Sequence, residues 1–349
     1  MNIDKSKIKK ILCIKFRGIG DVILSTIVFN NLRKDFPDAE IDYLTEAPSK
    51  AALEILPFLN EIILFENKGF FGNLAQILKI RKRKYDLIFD FYSNPRTALL
   101  TFLSGAPFRA GFPYRGREYA YNLKGPKERD KYHAAQLHLE FLKMLDLSYD
   151  SKELFFGLGN DDLAFANDFF NEKFEVSDFI IGLSPSGGWA SKKCDAVKFA
   201  EIGDAVVNTY SAKILLLWGP GDQDEALEVR KLMKNKVILA PTTDIRKMGA
   251  LMSRCHLIIS NDSGPMHIAT ALKTPVLSLH GPTDPKLQGP FGEKNEWIRL
   301  EDLDCIGCNL LNCPKRHECF MNLPVEKVIE KVKLLISKNN IALPANEKV

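Results

Sequence analysis

No apolar run in these 349 residues approaches the ~20 that a helix needs to cross a bilayer. The opening segment Met1–Lys10 is polar, so it lacks the apolar stretch of a secretory leader. Both absences lead us to expect a cytoplasmic protein. Charge of one sign is also lacking: 48 basic side chains face 44 acidic ones, a net +4. That is too little to demand a nucleic-acid partner. Cysteine is sparse except in one loop, where Cys305, Cys308, Cys313 and Cys319 fall within fifteen residues. Disulfides are not expected in a reducing compartment. The scattered Cys13, Cys194 and Cys255 read as small buried apolar residues.

What is present is an ordinary globular composition, 46% apolar and 26% charged. The length favours two domains over one. Strand and helix signals alternate along both halves. In the first half, Ile11–Lys15, Ile41–Leu44, Glu61–Phe65 and Leu87–Phe91 read as strands, with helices over Ser49–Leu56 and Asn73–Arg83. In the second, Phe179–Leu183, Lys213–Trp218, Val237–Ala240, Leu257–Ser260 and Pro275–Leu279 read as strands. Helices are expected over Lys198–Asn208, Asp224–Lys234, Ile245–Ser253 and Met266–Leu272. Such alternation predicts an α/β chain with two parallel sheets covered by helices. The domains are expected at 1–155 and 156–323. Helix 324–338 carries apolar residues at Val325, Val328, Ile329, Val332, Leu335 and Ile336, and 339–349 is a tail.

Two strand–turn–helix junctions carry the chemistry. The first is Lys15-Phe16-Arg17-Gly18-Ile19-Gly20-Asp21-Val22-Ile23, after the apolar strand. A dinucleotide site opens in this way, but Ile23 stands where its third glycine belongs. The acid expected about 20 residues on is Asp42 or Glu46. A nicotinamide oxidoreductase is therefore disfavoured. Lys15, Arg17 and Asp21 form a charged cluster at the carboxyl end of a strand, where open α/β sheets bind ligands. The second junction is Ser260-Asn261-Asp262-Ser263-Gly264-Pro265-Met266-His267. It places an acid, a hydroxyl, backbone N–H groups and an imidazole around a helix N-terminus, a setting suited to phosphate. The plainer reading is a helix cap and a satisfied core histidine.

Four motifs in this order resemble glycosyltransferase family 9, the ADP-heptose:lipopolysaccharide heptosyltransferases. They are Arg17–Ile23, Ser184-Pro185-Ser186-Gly187-Gly188 with Ser191-Lys192-Lys193, Asn261–His267, and His280-Gly281-Pro282-Thr283-Asp284-Pro285. The resemblance runs from about Lys10 to about Leu335. It implies a GT-B fold, two Rossmann-like domains facing a central cleft, with helix 324–338 returning to the first. It implies an inverting transfer of a sugar, heptose from ADP-heptose, to a lipopolysaccharide core or related surface glycan. Asp21 maps to the catalytic base. Donor contacts map to Ser186, Gly187, Lys192, Lys193, Asp262, Ser263, Gly264 and His267. Asp222 and Glu225, with Asp224 competing, are the candidates for an acidic ribose ligand. The chain departs from the family pattern at Cys194-Asp195, where an aromatic–proline pair is common.

Acceptor-side candidates are Lys15, Arg17, Gly20, Arg96 and His133. A carboxylate at Asp21 within reach of a hydroxyl can take its proton as the oxygen attacks. A non-catalytic nucleotide- or glycan-binding protein on the same scaffold is the alternative, and it would have no need of a base there. No cofactor is expected, since lysines and a helix N-terminus can stabilise a leaving diphosphate. Asp222-Gln223-Asp224 reads as a helix start, not a metal motif. The spacing of Cys305, Cys308, Cys313 and Cys319 suits tetrahedral zinc, and a thiol-rich loop is the plainer reading. Lys79–Lys84 is basic, and Phe70-Phe71 is expected in a nearby loop. A solvated helix end explains the former. A lipid-linked acceptor would make the pair a candidate contact with the inner membrane.

Overall fold

The computed structural model describes residues 3–16, 18–66 and 69–344. The chain divides into two compact units, Met1–Gly157 and Leu158–Val349. Arg17 and the tail 345–349 lie outside the described residues.

The first unit holds a parallel sheet of β1 (Lys10–Ile14), β2 (Glu40–Thr45), β3 (Glu61–Leu64), β4 (Leu87–Asp90), β5 (Phe108–Gly111) and β6 (Leu123–Lys124). Their spatial order is β3-β2-β1-β4-β5-β6. Its helices are α1 (Ile19–Ser25), α2 (Phe29–Asp35), α3 (Ala47–Lys50), α4 (Gly69–Lys82), α5 (Pro95–Leu103) and α6 (Ala134–Met144). β1 and β4 are wholly apolar runs but for Lys10, Cys13 and Asp90, as strands covered on both faces must be. They pair in parallel, Ile11 beside Leu87 and Ile14 beside Asp90. After β1 the chain moves toward β2, and after β4 it moves the other way, toward β5. The crevice where such a sheet takes its ligand therefore opens at the carboxyl ends of β1 and β4.

The second unit repeats the plan. Its strands are β7 (Ile180–Ser184), β8 (Lys213–Leu216), β9 (Val237–Leu239), β10 (Leu257–Asn261), β11 (Val276–His280) and β12 (Glu296–Arg299). They run in the order β12-β11-β10-β7-β8-β9. The helices are α7 (Asn160–Lys173), α8 (Ala196–Tyr210), α9 (Gln223–Leu232), α10 (Ile245–Arg254), α11 (Gly264–Ala271), α12 (Pro285–Gln288), α13 (Glu318–Met321) and α14 (Val325–Lys338). The switch point here is at the carboxyl ends of β7 and β10, which pair directly. Helix α14, expected to reach back to the first domain, packs on α8, β11 and β12. It buries Val328, Val332, Leu335 and Ile336 in the core of the second unit. Each is worth roughly 1.5–3 kcal/mol before entropy is counted.

Two local expectations are corrected. The helix read over Ser49–Leu56 is a single turn, Ala47–Lys50, followed by turns. Ile55 takes a left-handed conformation (φ 68°) and Pro57 follows, so a longer helix is stopped. Phe70 and Phe71 lie in the first turns of α4, not in a loop, because the helix starts at Gly69. Among the described residues no helix is long and apolar enough to cross a membrane.

Candidate functional site

In the first unit, β1 delivers Lys15 to the switch point, where the side chain is almost fully buried. Its ammonium lies 3.4 Å from the Phe91 carbonyl at the end of β4 and 3.7 Å from Asp21 Oδ1. It also sits 5.8 Å from the centre of the Tyr92 ring. Burial lowers the Lys15 pKa, against the opposing pull of Asp21 and Asp90. Asp21 is in the first turn of α1 with its carboxylate half exposed. The turn before it requires a glycine: Gly18 has φ 71°, and a Cβ there would meet Asp21 Oδ2 at 3.0 Å. Gly20 is buried in the same helical turn.

The fold brings further groups here that sequence reading missed. Asp90 is fully buried, and burial pushes its carboxyl up to about 6. The Ser93 amide (2.7 Å) and the Tyr121 hydroxyl (2.7 Å) donate to it and hold it from rising further. His138 of α6 is buried with its ring edge-on to Phe91. Its pKa is driven down by burial, then by the nearby positive charges of Lys15 and Arg129. Among the described residues no hydrogen-bond partner is found for its Nδ1. Arg129 stacks its guanidinium 5.7 Å from the Tyr114 ring centre. Two acceptor candidates stand apart from the cluster in role. Arg96 is exposed in the first turn of α5, which Asn94 and Thr97 cap reciprocally. His133 is the N-cap of α6, its Nδ1 accepting from the Ala135 amide at 3.1 Å.

In the second unit, Asn261 ends β10 and ties the two switch-point loops together. Its Nδ2 donates to the Pro185 carbonyl (2.8 Å), and its Oδ1 accepts from the Cys194 amide (3.2 Å). Asp262 follows, almost fully buried. Its Oδ2 lies 2.7 Å from Lys192 Nζ and accepts from the Thr283 hydroxyl at 2.6 Å. Burial alone would raise its carboxyl; His280, Lys192 and Thr283 outweigh it and hold it below the usual range. Burial pushes His280 itself down to about 4, so the imidazole is neutral near pH 7. The standing positive charge beside Asp262 is thus Lys192. Because Thr283 donates to Asp262, it accepts from His280 Nδ1 (3.4 Å), leaving Nε2 to accept from Ser278 (2.8 Å). The sequence marked the His280–Pro285 segment but not this brace behind the aspartate.

Lys192 also faces the Trp189 ring, 4.6 Å from its centre. Its neighbour turns elsewhere: Lys193 pairs with Glu225 and lies 3.6 Å from Asp222. Two of the three acids weighed as ribose ligands are thus partners of Lys193. Gly187 is forced small, since a Cβ would meet Lys193 Cγ at 2.6 Å. Ser186 is buried beside it, and among the described residues no hydrogen-bond partner is found for its hydroxyl. Ser263 is the N-cap of α11, Gly264 begins the helix, and His267 is buried within it.

The four loop cysteines are unpaired and line one small cavity with Ser191, Gly281 and Pro282. Burial pushes the Cys319 thiol up to about 12. Zinc gets no support here. Among the described residues no group of three or more His, Cys, Asp or Glu is placed to hold a metal. The loop instead packs on the lysine segment: the Ser191 amide donates to the Leu311 carbonyl at 3.1 Å, and its hydroxyl donates to Leu310.

The sequence model of glycosyltransferase family 9 (heptosyltransferase) matches residues 74–317. Lipooligosaccharide heptosyltransferase 2 of Campylobacter jejuni is 27% identical over 334 residues, 93% of this chain and 97% of that protein. A glycosyl transferase family 9 structure from Veillonella parvula superposes with TM-score 0.82 at 24% identity, covering 95% of this chain and 97% of that one. The E. coli ADP-heptose lps heptosyltransferase II structure superposes with TM-score 0.77 at 20% identity, covering 95% and 99%. The fold is therefore that of the GT-B enzymes, with two Rossmann-like parallel-sheet domains.

Proposed function

This chain belongs to glycosyltransferase family 9 and is a glycosyltransferase; from that premise we propose an inverting transfer of heptose from ADP-heptose to a lipopolysaccharide core or related surface glycan. The reading is carried by one observation: Lys192, Asp262 and Thr283 are locked together beside the start of α11 at the second sheet's switch point. A lysine fixed beside a helix N-terminus is a site for a diphosphate.

Donor and leaving group are assigned to the second unit, acceptor and base to the first. The acceptor oxygen attacks the anomeric carbon on the face opposite the diphosphate. Its proton passes to the Asp21 carboxylate. The bond from the anomeric carbon to the β-phosphate oxygen breaks, and its electron pair leaves with the nucleoside diphosphate. Lys192 and the first N–H groups of α11 neutralise the charge that develops there. Lys193 orients Glu225 and Asp222, either of which can accept from a ribose hydroxyl. Lys15, with Arg129 nearby, offers positive charge to an anionic acceptor. Arg17, Arg96 and His133 remain acceptor-side candidates. Such an acceptor is lipid-linked, so the enzyme is proposed to work at the cytoplasmic face of the inner membrane.

The test is nucleoside diphosphate release from a panel of nucleotide-sugars with a lipopolysaccharide-core acceptor. ADP-heptose should be turned over fastest. Asp21→Asn should lower turnover roughly 10²-fold or more with ADP affinity little changed. Near-parental turnover in that variant would remove Asp21 as the base. ADP binding without release from any donor would favour the non-catalytic binder instead.

A further inference from the structure

The first unit carries two acid-free stretches of chain whose helices expose large apolar side chains. From Asn67 to Tyr85, and again from Phe91 to Arg117, there is no Asp or Glu, while ten Lys and Arg occur. These stretches contain α4 and α5. The chain passes from β3 through α4 to β4, then through α5 to β5, so right-handed crossovers place both helices on one face of the sheet. They meet the sheet with Ile77, Ile80 and Leu100, which belong to one buried cluster. Arg81 donates to the Leu103 carbonyl at 3.3 Å and joins the two helices.

Their outer faces are where the unusual residues lie. Leu74 and Leu78 are exposed one turn apart on α4, Leu78 to 51%. Leu99 and Phe102 are exposed on α5, Phe102 to 45%. The Tyr119 ring meets Phe102 edge-on at 5.4 Å and is itself exposed. Lys79 and Lys82 are exposed on α4 beside the leucines. Core positions are already filled, so folding gives no reason for five large apolar side chains in water here. Of the acids close by in the chain or the sheet, Glu61 and Asp42 pair with Arg83, Asp86 accepts from the Lys9 and Lys10 amides, and Glu118 lies 4.0 Å from Lys124.

We infer that this face of α4 and α5 docks on an anionic lipid surface. Lys79 and Lys82 meet the headgroups, while Leu78 and Phe102 enter the boundary with the acyl chains. Charge complementarity selects an anionic partner, and the apolar side chains select a bilayer over a bare polyanion. A second copy docking face to face would bring like charges together. The inference rests on the proposed reading only in giving that reading's lipid-linked acceptor a membrane to be met on.

The test is cosedimentation of the full chain with vesicles of phosphatidylcholine, with and without phosphatidylglycerol. Binding is expected only with phosphatidylglycerol and should weaken with salt. Lys79→Ala with Lys82→Ala should lower the partition roughly 30-fold, since each basic residue near such a surface is worth about fivefold. Leu78→Ser with Phe102→Ser should lower it at least about fivefold at low salt. Both pairs should keep the parent's melting temperature and its turnover on a water-soluble acceptor fragment, so the transferase reading is judged separately. Equal binding to phosphatidylcholine alone, or no effect of the lysine pair, would overturn the inference. So would loss with the lysine pair but not the apolar pair, which describes a polyanion site such as one for nucleic acid. So would a dimer in ultracentrifugation that the same substitutions abolish.

Discussion

Removing Lys192 leaves a carboxylate stranded. Lys192 and Asp262 sit 2.7 Å apart with side chains only 12% and 5% exposed. Breaking a buried pair by deleting one member costs about 3–5 kcal/mol, because the other charge stays desolvated. The two halves of this pair are not equivalent. Lys192→Met leaves Asp262 with the Thr283 hydroxyl and no positive charge in contact, so a cost of about 3 kcal/mol is expected. Asp262→Asn leaves an ammonium that still faces the Trp189 ring and lies 3.4 Å from Gln288 Oε1. Its long stem reaches water, so about 1–2 kcal/mol is expected. The double variant should cost less than the sum by about 1.5–3 kcal/mol. Trp189, Trp218 and Trp297 are the only tryptophans, and all lie in the second unit. Urea unfolding followed by their fluorescence therefore reports that unit alone. Acid titration gives a second check. In the parent the Asp262 carboxyl is held low, so its stabilisation exists above the ordinary carboxylate value and is lost as pH falls through the lower folded value. With Lys192 gone, burial meets less opposition and this acid-side loss should shrink. A coupling below about 0.5 kcal/mol, or Asp262→Asn costing more than Lys192→Met, would refute the pairing argument.

Two further predictions concern the first unit. Asp90 binds a proton in the folded state up to about pH 6, while the unfolded carboxyl gives it up near 3.9. Its contribution to stability therefore falls by about 2 kcal/mol as pH rises from 4 to 6. Asp90→Asn should flatten that slope in circular-dichroism melts, and an unchanged slope would show that Asp90 is not the titrating group. Gly18→Ala forces a side chain into φ 71° and puts its Cβ 3.0 Å from the Asp21 carboxylate. It should cost about 1–2 kcal/mol and lower turnover by displacing Asp21, the proposed base. Parental turnover in that variant would mean that Asp21 need not hold this position.

The sequence by itself determined the alternation of strands and helices and the two strand–turn–helix junctions proposed to carry the chemistry. β1, β4, β7, β10 and β11 are buried on both faces, so each is a continuous or near-continuous apolar run that needs no partner to be recognised. The glycine turn before Asp21 and the Asn261–His267 turn are likewise local, because backbone conformation and helix starts are set by neighbours in the chain. β5, β6 and β12 were not legible: they are short and mixed, β5 becoming a strand by pairing between β4 and β6, and β6 and β12 by adding to a sheet edge. Lys192 and Lys193 cannot be told apart in a string. Only the fold sends one to Asp262 and its neighbour to Glu225. The same holds for Asp90 with Tyr121, for Lys15 with His138 and Arg129, and for the His280–Thr283 brace behind Asp262. These partners lie tens of residues apart, and what joins them is strand order and register, which no local period encodes.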